Sequence, residues 1–96
     1  IDDEMNTGST VVATADTLKN HGANDIYCYV THPVLSGKAT QLLEDSVVKE
    51  IVVTNTLPVS EAKQGTKTRI ISVASLLGEA IHRIHSGLSV GAMFEP

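Results

Sequence analysis

Several residue types that usually mark a function or a compartment are scarce in this chain. Its 96 residues include one cysteine, one phenylalanine, two tyrosines and no tryptophan. A single cysteine, Cys28, can form no internal disulfide, which fits a reducing compartment, and we expect a cytoplasmic protein. Because aromatic side chains are so few, we also expect a thin, aliphatic core.

Basic residues and long apolar runs are scarce as well. Seven lysines and arginines, scattered along the chain, stand against eleven acidic residues, which gives a formal charge of -4. A nucleic-acid surface needs clustered basic residues, so we expect no nucleic-acid partner. No apolar run approaches the roughly 20 residues that cross a bilayer, so we expect no membrane span. The length allows one domain, over residues 1–96.

Short apolar runs alternate with amphipathic segments along the chain. Continuously apolar strands joined by helices are typical of a parallel sheet, so we predict a three-layer α/β/α fold with helices on both faces of the sheet. Residues 55–68, which have no clear period, are expected to form a surface loop. The predicted strands are residues 26–30, 51–54 and 69–73, and the predicted helices are 10–20, 37–44 and 73–87.

The first ten residues suggest a ligand site at a sheet edge. If Ile1 ends a strand, Asp2 and Asp3 emerge at its carboxyl end, and residues 6–10 form the turn into the first helix. Free amides and the helix dipole at such a turn attract anions, and Gly8 allows close approach of the backbone. The hydroxyl groups in this turn are suited to phosphate oxygens.

Two adjacent carboxylates beside a phosphate turn need a further explanation. Asp2 and Asp3 could accept hydrogen bonds from sugar hydroxyls or hold a magnesium ion, and a sugar phosphate would satisfy both parts of the site. The plainer alternative is that Asn6 or Thr7 caps the first helix and the acids sit near the positive end of its dipole. The spacing of the residues leaves both interpretations open.

The same stretch resembles a known ligand loop. Residues 2–10 (DDEMNTGST) are similar to the phosphoribosyl pyrophosphate (PRPP) loop of type I phosphoribosyltransferases and their relatives. The resemblance then extends in order to the C-terminal part of the ribose-phosphate pyrophosphokinase family, through residues 31–39, 52–56, 71–81 and 89–90 with Phe94. It implies a type I phosphoribosyltransferase-like fold, of which this chain would be an incomplete part that lacks the N-terminal strands.

The resemblance also implies an activity. Members of this family transfer the diphosphoryl group of ATP to ribose 5-phosphate with Mg²⁺, giving PRPP and AMP, and we expect a homo-oligomer. ATP and the catalytic loop would belong to a preceding portion of the chain, so no catalytic residue is assigned here and the isolated 96 residues are expected to be inactive. Asp2 and Asp3 would meet the ribose hydroxyls or the metal. The implied ribose 5-phosphate residues are Asp2, Asp3, Asn6, Thr7, Gly8, Ser9 and Thr10.

The loop departs from the family pattern at two positions. Asn6 stands where many members have aspartate, which removes a negative charge, and Ser9 stands where glycine is common. A nucleobase phosphoribosyltransferase would share the loop but use PRPP as a substrate, and residues 31–39 and the C-terminal stretch argue against it. A non-catalytic homologue that assembles with active subunits as a regulatory subunit remains a third interpretation.

Other residues with possible chemistry have structural explanations that we favour. His32 is expected to orient the turn before Pro33, and His82 and His85 are expected to lie on a solvated helix face. Cys28 is expected to be inert packing. Ser36 could begin a second anion turn or cap the second helix. The tail around Phe94 is expected to mediate self-association.

Overall fold

In a computed structural model that describes all 96 residues, four parallel strands form one sheet. The strands follow each other across the sheet in chain order, so each neighbour is the next strand of the sequence. The strands are β1 (Asp2–Met5), β2 (Tyr27–Pro33), β3 (Glu50–Thr54) and β4 (Thr68–Ile71). The helices are α1 (Ser9–Asn20), α2 (Ala39–Glu44) and α3 (Ala74–His85), followed by a 3₁₀ turn at Gly91–Phe94. The predicted parallel α/β fold is confirmed.

The core lies between the sheet and the helices α1 and α2. Residues of a strand point alternately to the two faces of its sheet, and Cys28 and Val30 of β2 are buried while Tyr27 and Tyr29 between them are exposed. Both helices contribute small or aliphatic side chains to the same cluster as the sheet, so they cover one face. The buried cluster is Met5, Ala15, Cys28, Val30, Leu35, Ala39, Leu43, Val48, Ile51 and Val53. As expected, the core is aliphatic.

The opposite face of the sheet is largely open. Tyr27, Tyr29 and Ile71 are between 45% and 48% exposed on this side. The amphipathic pattern of the third helix predicts a buried stripe, yet no residue of α3 is buried. Its large apolar side chains, which include Leu77 and Ile81, are 48% to 69% exposed. A hydrophobic pattern specifies which side of a helix is apolar, and whether that side is covered depends on what packs there.

The molecule is elongated because α3 and the tail extend from the sheet. Its principal dimensions are 50 × 30 × 18 Å and its radius of gyration is 16.2 Å, against about 13 Å for a compact chain of about 100 residues. None of the helices combines the length and the hydropathy needed to cross a membrane.

The first strand differs from the prediction. The prediction that a strand ends at Ile1 is wrong, because β1 runs over Asp2–Met5. The reason is the length of β2, which continues to Pro33 and offers backbone partners to residues 2–5, with Asp2 opposite Val30 and Met5 opposite Pro33. The two aspartates therefore lie within the strand, and Met5 is its carboxyl end.

Candidate ligand site at the β1–α1 connection

A depression of about 220 Å³ lies where β1 passes into α1. In an open parallel α/β sheet, this carboxyl edge of the strands is where ligands bind. Of the seven residues predicted to hold a sugar phosphate, five line the depression, and Asp3 and Ser9 do not. The complete lining is Asp2, Glu4, Met5, Asn6, Thr7, Gly8, Thr10 and Val11.

The first turn of α1 presents unpaired backbone donors to this depression. The amides of Gly8, Thr10 and Val11 donate to no atom of the protein, as expected for the first residues of a helix. The N-cap position of α1 is Gly8 and no side chain makes a cap hydrogen bond there. The alternative in which Asn6 caps the helix is therefore wrong, and Thr7 Oγ1 accepts only the amide of Ser9, at 3.4 Å. These donors and the positive end of the helix dipole make the turn suited to an anion.

Gly8 gives the turn its shape. Its φ is 81°, a left-handed conformation that residues with a Cβ adopt only at a cost. It is buried, and a Cβ added there would lie 3.5 Å from Leu43 Cγ of α2. The turn therefore rests on α2 at this point. Beside it, the hydroxyls of Thr7 and Ser9 are hydrogen-bonded to each other at 2.9 Å, which orients Thr7 within the turn.

The carboxylates of the depression are Asp2 and Glu4 rather than two adjacent aspartates. Sequence reasoning missed Glu4, although the period of two residues in a strand already places it on the same face as Asp2 and places Asp3 on the other. Carboxylate oxygens accept hydrogen bonds from sugar hydroxyls.

The described residues do not form a magnesium site of their own. Asp2 and Asp3 follow each other in a strand, so their carboxylates point to opposite faces and do not converge on one ion. No three histidine, cysteine, aspartate or glutamate side chains come together in a group that could hold a metal. A metal ion at this edge of the sheet would therefore need ligands from elsewhere, such as the phosphate oxygens of a substrate.

The connection between β2 and α2 holds the start of the turn. The amides of Leu35 and Ser36 donate to the carbonyl oxygens of Met5 and Asn6 at 3.0 and 2.9 Å. The Ser36 hydroxyl also donates to Asn6 Oδ1. Ser36 does not cap α2, whose N-cap position is Lys38. The prediction of a helix cap at Ser36 is therefore wrong, and the residue instead contacts the candidate site from 30 positions away.

The remaining candidate residues have structural surroundings. His32 Nδ1 is hydrogen-bonded to Thr56 Oγ1 at 2.9 Å, which ties β2 to the loop after β3. Burial raises the pKa of the Cys28 thiol, as expected for inert packing. His82 and His85 are exposed on α3, which confirms the solvated face predicted for them.

Fold and site together define an α/β chain with a glycine-containing turn that leaves backbone amides unpaired at the carboxyl edge of a parallel sheet. Comparison with known families agrees, since the model of the phosphoribosyl synthetase-associated domain matches residues 1–95. This chain belongs to that family, which confirms the resemblance seen in the sequence.

Individual relatives carry a consistent name. The chain is 47% identical to the ribose-phosphate pyrophosphokinase of Caldanaerobacter subterraneus subsp. tengcongensis over 94 residues. The matched residues cover 98% of this chain and 30% of that protein. It is 43% identical over 95 residues to the enzyme of the same name from Staphylococcus saprophyticus, with 99% and 30% covered. A crystal structure of phosphoribosylpyrophosphate synthetase from Mycobacterium smegmatis matches with a TM-score of 0.87 and 36% identity, over 90% of this chain and 29% of that one. The chain thus spans about 30% of the length of these relatives.

Proposed function

We propose that these residues form the ribose 5-phosphate loop of a ribose-phosphate pyrophosphokinase, an enzyme that transfers the diphosphoryl group of ATP to ribose 5-phosphate and yields PRPP and AMP. One observation carries the proposal. In a member of the phosphoribosyl synthetase-associated family, the turn that resembles a PRPP loop lines a depression and presents unpaired amides to it. The names of the relatives favour this function over a nucleobase phosphoribosyltransferase.

The depression supplies two kinds of contact to such a ligand. The amides of Gly8, Thr10 and Val11 would donate to the oxygens of the 5-phosphate, and the Thr10 hydroxyl would add a further donor. The carboxylate of Asp2, with Glu4 beside it, would accept hydrogen bonds from ribose hydroxyls. Because these two carboxylates would repel a bare phosphate, the site favours a ligand that carries both a phosphate and hydroxyl groups.

Transfer of the diphosphoryl group requires more than this loop. Charge on several phosphates has to be neutralised by metal ions and cationic side chains, and no lysine or arginine lines the depression. We infer that ATP is held by residues outside these 96 and that Mg²⁺ enters with the ATP phosphates rather than through a site of this chain. PRPP formed from ATP and ribose 5-phosphate by the purified 96-residue chain would contradict this part of the proposal.

A titration with ribose 5-phosphate, followed by amide NMR, tests the loop directly. We expect the shifts to concentrate at the amides of Gly8, Thr10 and Val11, with weaker binding of inorganic phosphate and no comparable shifts with ribose. Shifts spread evenly over the chain, or equal affinities for ribose 5-phosphate and phosphate, would contradict the proposed loop.

Substitution of each of the two neighbouring aspartates tests which of them binds the ribose hydroxyls. Asp2→Ala should lower the ratio of ribose 5-phosphate affinity to phosphate affinity by about tenfold, the loss expected for hydrogen bonds to a charged acceptor. The ratio cancels the general effect of removing a negative charge. Asp3→Ala is the matched control, because Asp3 does not line the depression. An equal fall in the ratio for Asp3→Ala would reject the assignment of the sugar to Asp2 alone.

A further inference from the structure

The β2–α2 connection contains a residue whose hydrogen bonds reach the ligand turn. Ser36 does not cap α2, and it does not line the depression at residues 6–10. Its backbone amide and its hydroxyl both donate to Asn6, the first residue of the turn. Two bonds to one residue fix both the backbone and the side chain of that residue.

The backbone before Ser36 is shaped for this contact. Leu35 is the one residue other than glycine with a positive φ, at 50°, a left-handed conformation that a residue with a Cβ adopts only at a cost. Its side chain is buried at 3% exposure, and its amide donates to Met5 O at 3.0 Å. The unfavourable backbone conformation is thus held by burial of Leu35 while consecutive amides point at the end of β1.

The turn is consequently held at both of its ends by one neighbouring segment. Leu35 and Ser36 hold Met5 and Asn6 at its beginning, and Leu43 of α2 lies against Gly8 at its end. Between these points, Thr7 is oriented only by Ser9. The direction of the open amides therefore depends on contacts made outside the turn.

We propose that Ser36 is a positioning residue for the ligand turn, acting through Asn6 and touching no ligand itself. The Ser36 hydroxyl donates to Asn6 Oδ1 and so holds the side chain of a residue that lines the depression. Loss of the hydroxyl would free the Asn6 side chain to rotate and would loosen the start of the turn. The inference rests on the proposed function, because it concerns the presentation of this turn to ribose 5-phosphate.

Substitution of Ser36 in the 96-residue chain tests the inference, with ribose 5-phosphate as the probe. Ser36→Ala should weaken binding about three- to tenfold, the effect of one neutral hydrogen bond, and should shift the side-chain amide resonances of Asn6 before ligand is added. Ser36→Thr, which keeps the hydroxyl, should restore the affinity to within about twofold. Ser60→Ala is the matched control, because the exposed Ser60 side chain makes no hydrogen bond.

The comparison of Ser36→Thr with Ser36→Val covers the case in which the alanine variant does not fold, since these two side chains share a shape and differ by the hydroxyl. Weaker binding by Ser36→Val than by Ser36→Thr, with equal thermal midpoints, supports a positioning role. If the unaltered chain binds ribose 5-phosphate and all Ser36 variants bind it equally well, the positioning role is overturned and the proposed function stands. If the unaltered chain shows no binding, the proposed function fails and the inference fails with it.

Discussion

The two long helices, α1 and α3, have the same length of 12 residues and each follows a parallel strand, yet their surroundings are opposite. Helix α1 is packed on the sheet through Ala15, and the amides of Thr10 and Val11 in its first turn are unpaired, while Ser9 N donates to Thr7 Oγ1 at a long 3.4 Å. Helix α3 exposes its apolar stripe, while the amides that lead into it are paired. Val73 N donates to Asn55 Oδ1 at 2.9 Å and Ala74 N donates to Ser72 Oγ at 3.1 Å.

The two helices show that burial of a helix and its ability to bind an anion depend on different features, namely its apolar side chains and its unpaired amides. Burial of apolar surface makes α1 part of the core, so its free amides are presented from a fixed position. The start of α3 has its donors partly satisfied by the protein's own side chains and so offers less to a ligand. A site for an anion therefore requires unpaired donors on a helix that is itself held in place.

The largest effect should come from removing apolar volume on the covered side. Leu43→Ala should lower the free energy of unfolding by about 2 to 5 kcal/mol, because Leu43 is 2% exposed and its loss leaves a cavity. The same change in α3, Leu77→Ala, should alter it by no more than about 0.5 kcal/mol, because Leu77 is 56% exposed. Urea unfolding of both variants measures the difference. Equal losses would show that α3 is packed in solution and would remove the contrast.

A second pair of variants makes the same chemical change with opposite expected signs. Gly8→Ala should destabilise the chain by about 1 to 2 kcal/mol, because an L-residue is forced into the left-handed conformation at a φ of 81°. Gly78→Ala should stabilise α3 by about 0.5 to 1 kcal/mol, because Gly78 lies inside the helix with no atom within 4 Å of an added Cβ. Amide hydrogen exchange in α1 and α3 reports the two effects separately. Equal signs for the two changes would contradict the backbone conformation of the turn.

Some of the elements behind these expectations could be predicted from the sequence, and others could not. The apolar runs at β2 and β3 and the period of α1 predicted those elements well, because local spacing reports which face is buried. Residues 2–5, of which the first three are acidic, carry no such signal, because it is pairing with β2 that makes them a strand. The exposure of α3 also has no local signal, because amphipathic spacing does not reveal what covers the helix.

The candidate site was predicted in outline for a similar reason. A turn with glycine and hydroxyl residues before a helix is a local pattern, so residues 6–10 could be singled out from the sequence. The contact between Ser36 and Asn6 spans 30 positions and arises only when β1 and β2 pair. Glu4 could have been found by applying the two-residue period of a strand to the acidic run.

The smallest expected effect concerns the loop after β3, which is anchored to the covered side. Glu44 of α2 accepts hydrogen bonds from the Thr66 hydroxyl and from the Lys67 amide, and these bonds lower the pKa of its carboxyl group. Because the folded chain holds this proton less tightly than the unfolded chain does, the stabilisation is present above the unfolded value of about 4.3. It is lost as the pH falls through the lower folded value.

Glu44→Gln should therefore be less stable than the unaltered chain at neutral pH, and the difference should shrink as the pH falls below the unfolded pKa of about 4.3. Thermal midpoints measured from pH 7 to pH 3 check this expectation. Glu61→Gln is the matched control, because the Glu61 side chain makes no hydrogen bond. A difference between Glu44→Gln and the unaltered chain that is independent of pH would contradict the role of the carboxylate.

The burial of Cys28 has a practical consequence. This thiol lies in the second strand of the sheet at 8% exposure, on the face that α1 covers, and the chain has no other cysteine. The thiol also lines a groove between α1 and the sheet, so a small part of its surface is open to solvent. Labelling by a thiol-specific reagent should become faster whenever α1 separates from the sheet, and a ligand that binds the β1–α1 turn should slow the labelling without touching the sulfur atom.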